Sequence, residues 1–144
     1  EELILKVRNH LDTAKKIRKQ YRRLLMENPE AADIHTPDDR FIKRLVELLK
    51  KNMGDPDYQL DEMCGDLGIS RSQLYRKIDQ LTGMKPGELF RNLRLSTAAE
   101  YFRSGQNNIT QVMYKVGFNN LSNFAQSFRK RFGANPSQYI KKVH

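Results

Sequence analysis

Apolar residues in this chain recur at the three- and four-residue intervals of amphipathic helices, and the pattern predicts an all-α protein. Ile4, Val7, Leu11, Ala14, Tyr21 and Leu25 fall at spacings of three, four or seven and predict one amphipathic helix over residues 1–26, with Arg18 and Asn28 interrupting its seam. The pattern breaks over residues 27–38, ENPEAADIHTPD, where two prolines, several acids and a lack of periodicity read as a linker. A compact domain is expected over 39–144. Its first helix is announced by Thr36 as N-cap, Pro37 at the first helical position and Asp38 with Asp39 in the first turn. Phe41, Leu45, Leu48 and Leu49 supply its apolar stripe, and the run from Asn52 to Pro56 stops it.

The rest of the chain repeats itself. Leu60 to Phe90, LDEMCGDLGISRSQLYRKIDQLTGMKPGELF, recurs about fifty residues later as ITQVMYKVGFNNLSNFAQSFRKRFGANPSQYI, with one residue inserted in the second copy. Leu60 matches Ile109, Met63 matches Val112, Leu67 matches Val116, Gly68 matches Gly117 and Ile69 matches Phe118. Beyond the insertion Leu74 matches Phe124, Ile78 matches Phe128, Gly83 matches Gly133 and Pro86 matches Pro136. Each copy is a short apolar-periodic helix, a glycine turn and a longer helix with a polar exposed face, the layout of a helix-turn-helix. Ser70 with Gln73 forms a capping box for the longer helix of the first copy, and Asn119 or Asn120 caps its counterpart. Gly83 and Gly133 stand where a C-terminal glycine is expected, and Asn135, Pro136 and Gln138 open a final helix. Between the copies, Pro86 to about Ser104 carries Leu89, Phe90, Leu93, Leu95, Ala98, Ala99 and Phe102, enough apolar surface to face both halves. At ~1.5 Å per residue such a helix is roughly 27 Å long. That is comparable to the ~34 Å turn of B-DNA, so two units on one connecting helix can reach successive major-groove segments.

Charge sharpens this picture. Twenty-six Lys and Arg against 17 Asp and Glu leave a formal net charge of +9, which favours a polyanionic partner, nucleic acid or an anionic membrane surface. Residues 109–144 hold Lys115, Arg129, Lys130, Arg131, Lys141 and Lys142 and no acid at all, so the second copy is the stronger candidate for phosphate contact. A second basic run, KKIRKQYRR from Lys15 to Arg23, reads first as a solvated helix face. The single cysteine, Cys64, excludes an intrachain disulfide and a zinc-thiolate cluster, and points to a reducing compartment. His10, His35 and His144 lack metal-ligand spacing, so neither a metal nor a cofactor is expected. No apolar run approaches the ~18 residues of a membrane span, and no signal peptide is evident, so the chain is expected to be soluble and cytoplasmic.

The stretch GFNNLSNFAQSFRKRFGANPSQY, Gly117 to Tyr139, resembles the signature of the AraC/XylS transcription regulators, and SRSQLYRKIDQLTG in the first copy resembles their first helix-turn-helix. The resemblance covers residues 39–143. It implies seven helices in two helix-turn-helix subdomains joined by a long central helix, each presenting one recognition helix to the major groove of double-stranded DNA. Carried over by position, the base-reading surface is Ser72, Tyr75 and Arg76 in the first recognition helix, and Ser122, Asn123 and Gln126 beside Leu121 in the second. Arginine suits guanine O6 and N7, whereas Asn and Gln suit adenine N6 and N7. Arg71, Gln73, Arg129, Lys130 and Arg131 are the expected phosphate contacts, which position the protein without reading sequence. Three features depart from the pattern: Gln126 where arginine is frequent, Cys64 and Met113 where a small alanine is usual, and apolar Leu121 on the DNA-facing side. Separately, EELILKVRNHL at residues 1–11 is similar to the last helix of a response-regulator receiver. Together the two resemblances imply the output end of a Bacteroidetes-type hybrid two-component regulator, with receiver and sensor domains upstream, RNA polymerase among its partners, and a cytoplasmic location within a full-length protein open to membrane anchoring.

Two other readings compete. Residues 1–26 could pair with themselves in a homodimer or pack on a missing domain, which would make the chain a protein-binding or dimerising module with only non-specific DNA affinity. An enzyme would need a nucleophile, a base and an orienting group together, and neither Cys64 nor Ser70 has a convincing partner in the sequence, so catalysis is not expected.

Overall fold

The computed structural model describes residues 36–144. The expectations for the amphipathic helix over 1–26, its basic run, and all but the last three residues of the 27–38 linker fall outside the described residues. Those described form seven helices and no strand: α1 (Pro37–Asn52), α2 (Leu60–Leu67), α3 (Arg71–Thr82), α4 (Pro86–Arg103), α5 (Ile109–Lys115), α6 (Leu121–Phe132) and α7 (Pro136–Val143). Helix α1 takes in Pro37 and Asp38, two residues ahead of the expected domain start, because Thr36 and Asp39 close a reciprocal capping box.

The core runs continuously from α1 to α6. Helix α1 buries Ile42, Leu45, Val46 and Leu49, whereas Phe41 and Leu48 of the expected stripe are only half-buried. The stripe is therefore rotated relative to the expectation. Val46 and Ile42 sit three residues before Leu49 and Leu45, on the i, i+3, i+4 arc that faces α2. Phe41 instead takes Lys77 of α3 over its ring at 4.7 Å. Arg44 donates to the Asp66 carbonyl at 2.7 Å, supplying positive charge and a hydrogen bond to the C-terminal end of α2. Helix α4, 18 residues long, is the shared wall: its buried Leu89, Leu93, Leu95, Ala98, Ala99 and Phe102 serve contacts with α3, α5, α6 and α7.

The two copies fill their cores differently. Around α3 the buried residues are aliphatic, Met63, Leu74, Ile78, Leu81 and Met84. Around α6 they are aromatic: Phe128 stands edge-on to Phe102 at 5.6 Å and to Tyr139 at 5.2 Å, with Phe132 at 4.6 Å and Phe124 at 5.9 Å. Met113 and Cys64 are both buried, so the larger side chains are accommodated where short helix meets long helix.

Candidate nucleic-acid interface

Local chemistry orients each long helix before tertiary packing acts on it. Ser70 Oγ accepts from the Gln73 N–H at 3.2 Å and Gln73 Oε1 accepts from the Ser70 N–H at 3.1 Å, the expected capping box. Asn120, rather than Asn119, caps α6: its Oδ1 accepts from the Asn123 N–H at 3.0 Å. At the far ends Gly83 and Gly133 close α3 and α6 in the left-handed conformation, each N–H bonding back four residues at 2.8 Å. In α3 the hydroxyl of Thr82, fully buried, donates to the Ile78 carbonyl and accepts from the Met84 N–H, which ties the end of α3 to the start of α4.

Packing then decides which faces remain outside. Leu74, Ile78 and Leu81 take α3 into the core and leave Arg71, Ser72, Gln73, Tyr75 and Arg76 exposed. Tyr75 keeps 45% of its surface despite its aromatic ring. In α6, Phe124 and Phe128 are fully buried while Ser122, Asn123, Gln126, Arg129 and Lys130 are exposed. Leu121 is 50% exposed at the N-terminal tip of α6. The expected base-reading residues thus lie on the outward faces of α3 and α6. Among the described residues no hydrogen bond or ion pair engages the side chains of Ser72, Tyr75, Arg76, Ser122, Asn123, Gln126, Arg129 or Lys130.

Three expected phosphate contacts have additional roles. Arg71 forms an ion pair with Asp61 of α2 at 3.4 Å, with both side chains well exposed. A pair of that kind contributes about 0–1 kcal/mol, so a phosphate can displace the carboxylate. Gln73 has its oxygen committed to the cap, which leaves its NH₂ to donate. Arg131 is placed differently from its neighbours Arg129 and Lys130. It is half-buried, its Nη2 lies 3.3 Å from Ser96 Oγ of α4, its guanidinium lies 5.5 Å from the Phe132 ring centroid, and its Nε has no partner. Burial lowers its pKa from the ordinary arginine value. The signal was present in the chain: residues 124, 128 and 131 stand at i, i+4 and i+7, one face of one helix.

Sequence reasoning passed over Arg94 of α4. It is half-buried with Nε unpaired, and burial lowers its pKa as well. Cys64 is a buried thiol whose pKa burial pushes up, with Asp61 adding to the rise against Arg71, so it is a packing residue and a poor nucleophile.

A family model described as "Helix-turn-helix domain" matches residues 63–142, from within α2 into the last turn of α7. The chain belongs to the AraC/XylS-type helix-turn-helix family. Members of this family are DNA-binding transcription regulators. The chain is 28% identical over 139 residues, 96% of its length, to the histidine kinase P4 of Formosa agariphila. It is 28% identical over 101 residues, 69% of its length, to the HTH-type transcriptional regulator MtrA of Neisseria gonorrhoeae. The chain spans only 10% of the kinase and 34% of the regulator. Among solved structures, the C-terminal domain of AraT, a response regulator from Geobacillus stearothermophilus, superposes with a TM-score of 0.64 at 27% identity, over 74% of this chain and 86% of that one. The seven helices of the described residues, with no strand among them, form the AraC-type fold.

Proposed function

We propose that this AraC/XylS-type domain is the sequence-specific DNA-reading output of a two-component signalling protein, with α3 and α6 each entering one major-groove segment. The observation that carries the reading is the pair of exposed polar faces on α3 and α6, held by one 18-residue helix. On α3, Arg76 is the main base reader, with Ser72 and Tyr75 beside it; on α6 the readers are Ser122, Asn123 and Gln126. Arg71, the Gln73 amide, Arg129 and Lys130 take phosphates. The protein acts by binding and catalyses no reaction.

The similarity to a histidine kinase along almost the whole chain, including residues before Thr36, supports sensor and receiver domains upstream. Residues 1–26 would then transmit the signal or pair two copies, and RNA polymerase is the downstream partner. No helix among the described residues is long and apolar enough to cross a membrane, in keeping with a domain at work in the cytoplasm.

Selection of bound sites from a random DNA pool tests this reading. Arg76→Ala should relax preference at one cluster of base pairs and cost roughly 1–3 kcal/mol, while Asn123→Ala or Gln126→Ala should act ~10 base pairs away. Leu121 and the acid-free second copy favour one rival reading, in which α6 only rests on the backbone. It wins if the Asn123 and Gln126 variants keep the parent's full base preference.

A further inference from the structure

Besides packing on α4, the second helix-turn-helix unit touches the end of α1, the helix that leads into the first unit. Gly117, in the turn between α5 and α6, has φ +92° and lies against the end of α1. A methyl group on its Cα would overlap the carbonyl oxygen of Met53, the residue that closes α1, and would sit 3.3 Å from Arg94 Nε. The next residue, Gly54, approaches from the other side, since a methyl there would stand 3.5 Å from the Lys115 carbonyl oxygen. Residues 53–54 at the end of α1 and 115–117 of the second unit therefore meet main chain to main chain, with the half-buried Arg94 guanidinium beside them. The contact is narrow. Next to it the end of α1, α4 and α5 border an open cleft of about 420 Å³, with Lys50, Thr97, Glu100 and Lys115 in its wall.

The repeat supplies an internal control. Gly68, the counterpart of Gly117 in the first unit, also has positive φ, at +69°, but a methyl group there would meet nothing within 4 Å. Gly68 is thus required for backbone conformation alone, whereas Gly117 is required for conformation and for close approach. Backbone atoms at such a joint cannot change rotamer to make room, so added bulk moves one unit relative to the other.

We propose that the joint of Gly117 with Met53 and Gly54 sets the angle and separation of α3 and α6, making Gly117 a positioning residue for the spacing between the two DNA segments read. The inference rests on two-helix readout as proposed above. Its test uses a DNA library in which the two selected half-sites are kept and the spacer between them is varied. Gly117→Ala and Gly54→Val should retain each half-site's base preference. Their preferred spacer should move or broaden by about one base pair, with affinity at the parent spacing down about tenfold, near the loss from one mismatched pair. Gly68→Ala should lower stability and leave the spacing optimum in place. If Gly117→Ala does not fold, by circular dichroism, Gly54→Val decides, because position 54 carries no left-handed strain. An unchanged spacing optimum in the folded variants overturns the inference and leaves two-helix readout standing. A parent protein that selects no second half-site overturns both.

Discussion

Lys130 and Arg131 are adjacent cations with opposite surroundings, and the contrast shows what a residue's charge does once its place is known. Lys130 points outward, while Arg131 lays its guanidinium against Phe132 and Ser96. Lys130→Ala should weaken binding to all DNA sequences alike and reduce the salt slope by about one, with stability unchanged within ~0.5 kcal/mol. Arg131→Ala should instead cost about 1 kcal/mol or more of stability through lost packing, since a long cationic stem covers apolar surface. Urea melts and salt titrations of the two variants separate the roles. A residue count or a charge run does not make this distinction; the phase of the helix does.

At the scale of the element, local and non-local forces act on the same helices with different strength. Ser70→Ala removes one cap from α3 and should lower stability by about 1 kcal/mol, while Phe128→Ala empties the centre of the aromatic cluster and should cost about 3–5 kcal/mol. Denaturant unfolding monitored by circular dichroism checks both values; equal losses would mean that the caps, and not the core, organise these helices. The caps were legible in the chain because a cap joins residues three apart, so Thr36, Ser70 and Asn135 are read without knowledge of the fold. The choice between Asn119 and Asn120 was not legible, because either side chain can reach the first turn and the entry angle of the preceding loop selects one. The same limit applies to α1. Its apolar arc is wide enough to bury either Phe41 and Leu48 or Ile42 and Val46, and the position of α2 decides.

Across the whole molecule the charge is lopsided. All the acids of the described residues precede position 109, and Asp55, Asp57, Asp61, Glu62 and Asp66 cluster around α2, while the second unit has none to offset its cations. Affinity for DNA should therefore be dominated by phosphate contacts. With ~6–10 of them, binding should weaken about a thousandfold or more between ~50 and ~200 mM salt, measured by fluorescence anisotropy on a selected site. A nearly flat response would mean that base contacts and shape carry the affinity.

The chain by itself determined the helical period, the duplication, the capping chemistry and the outward polar faces of α3 and α6. The duplication is read by setting one stretch of sequence against another, and the rest depend on residues within one or two helical turns of one another, where sequence separation and spatial distance are nearly the same thing. Only the tertiary structure decided that Arg131 meets Ser96 of α4, that Arg71 is shared with Asp61, and that two glycines equivalent in the repeat, Gly68 and Gly117, are not equivalent in space. These outcomes depend on contacts between residues far apart in the chain, and a repeat in sequence cannot specify them, because the two copies pack against different neighbours.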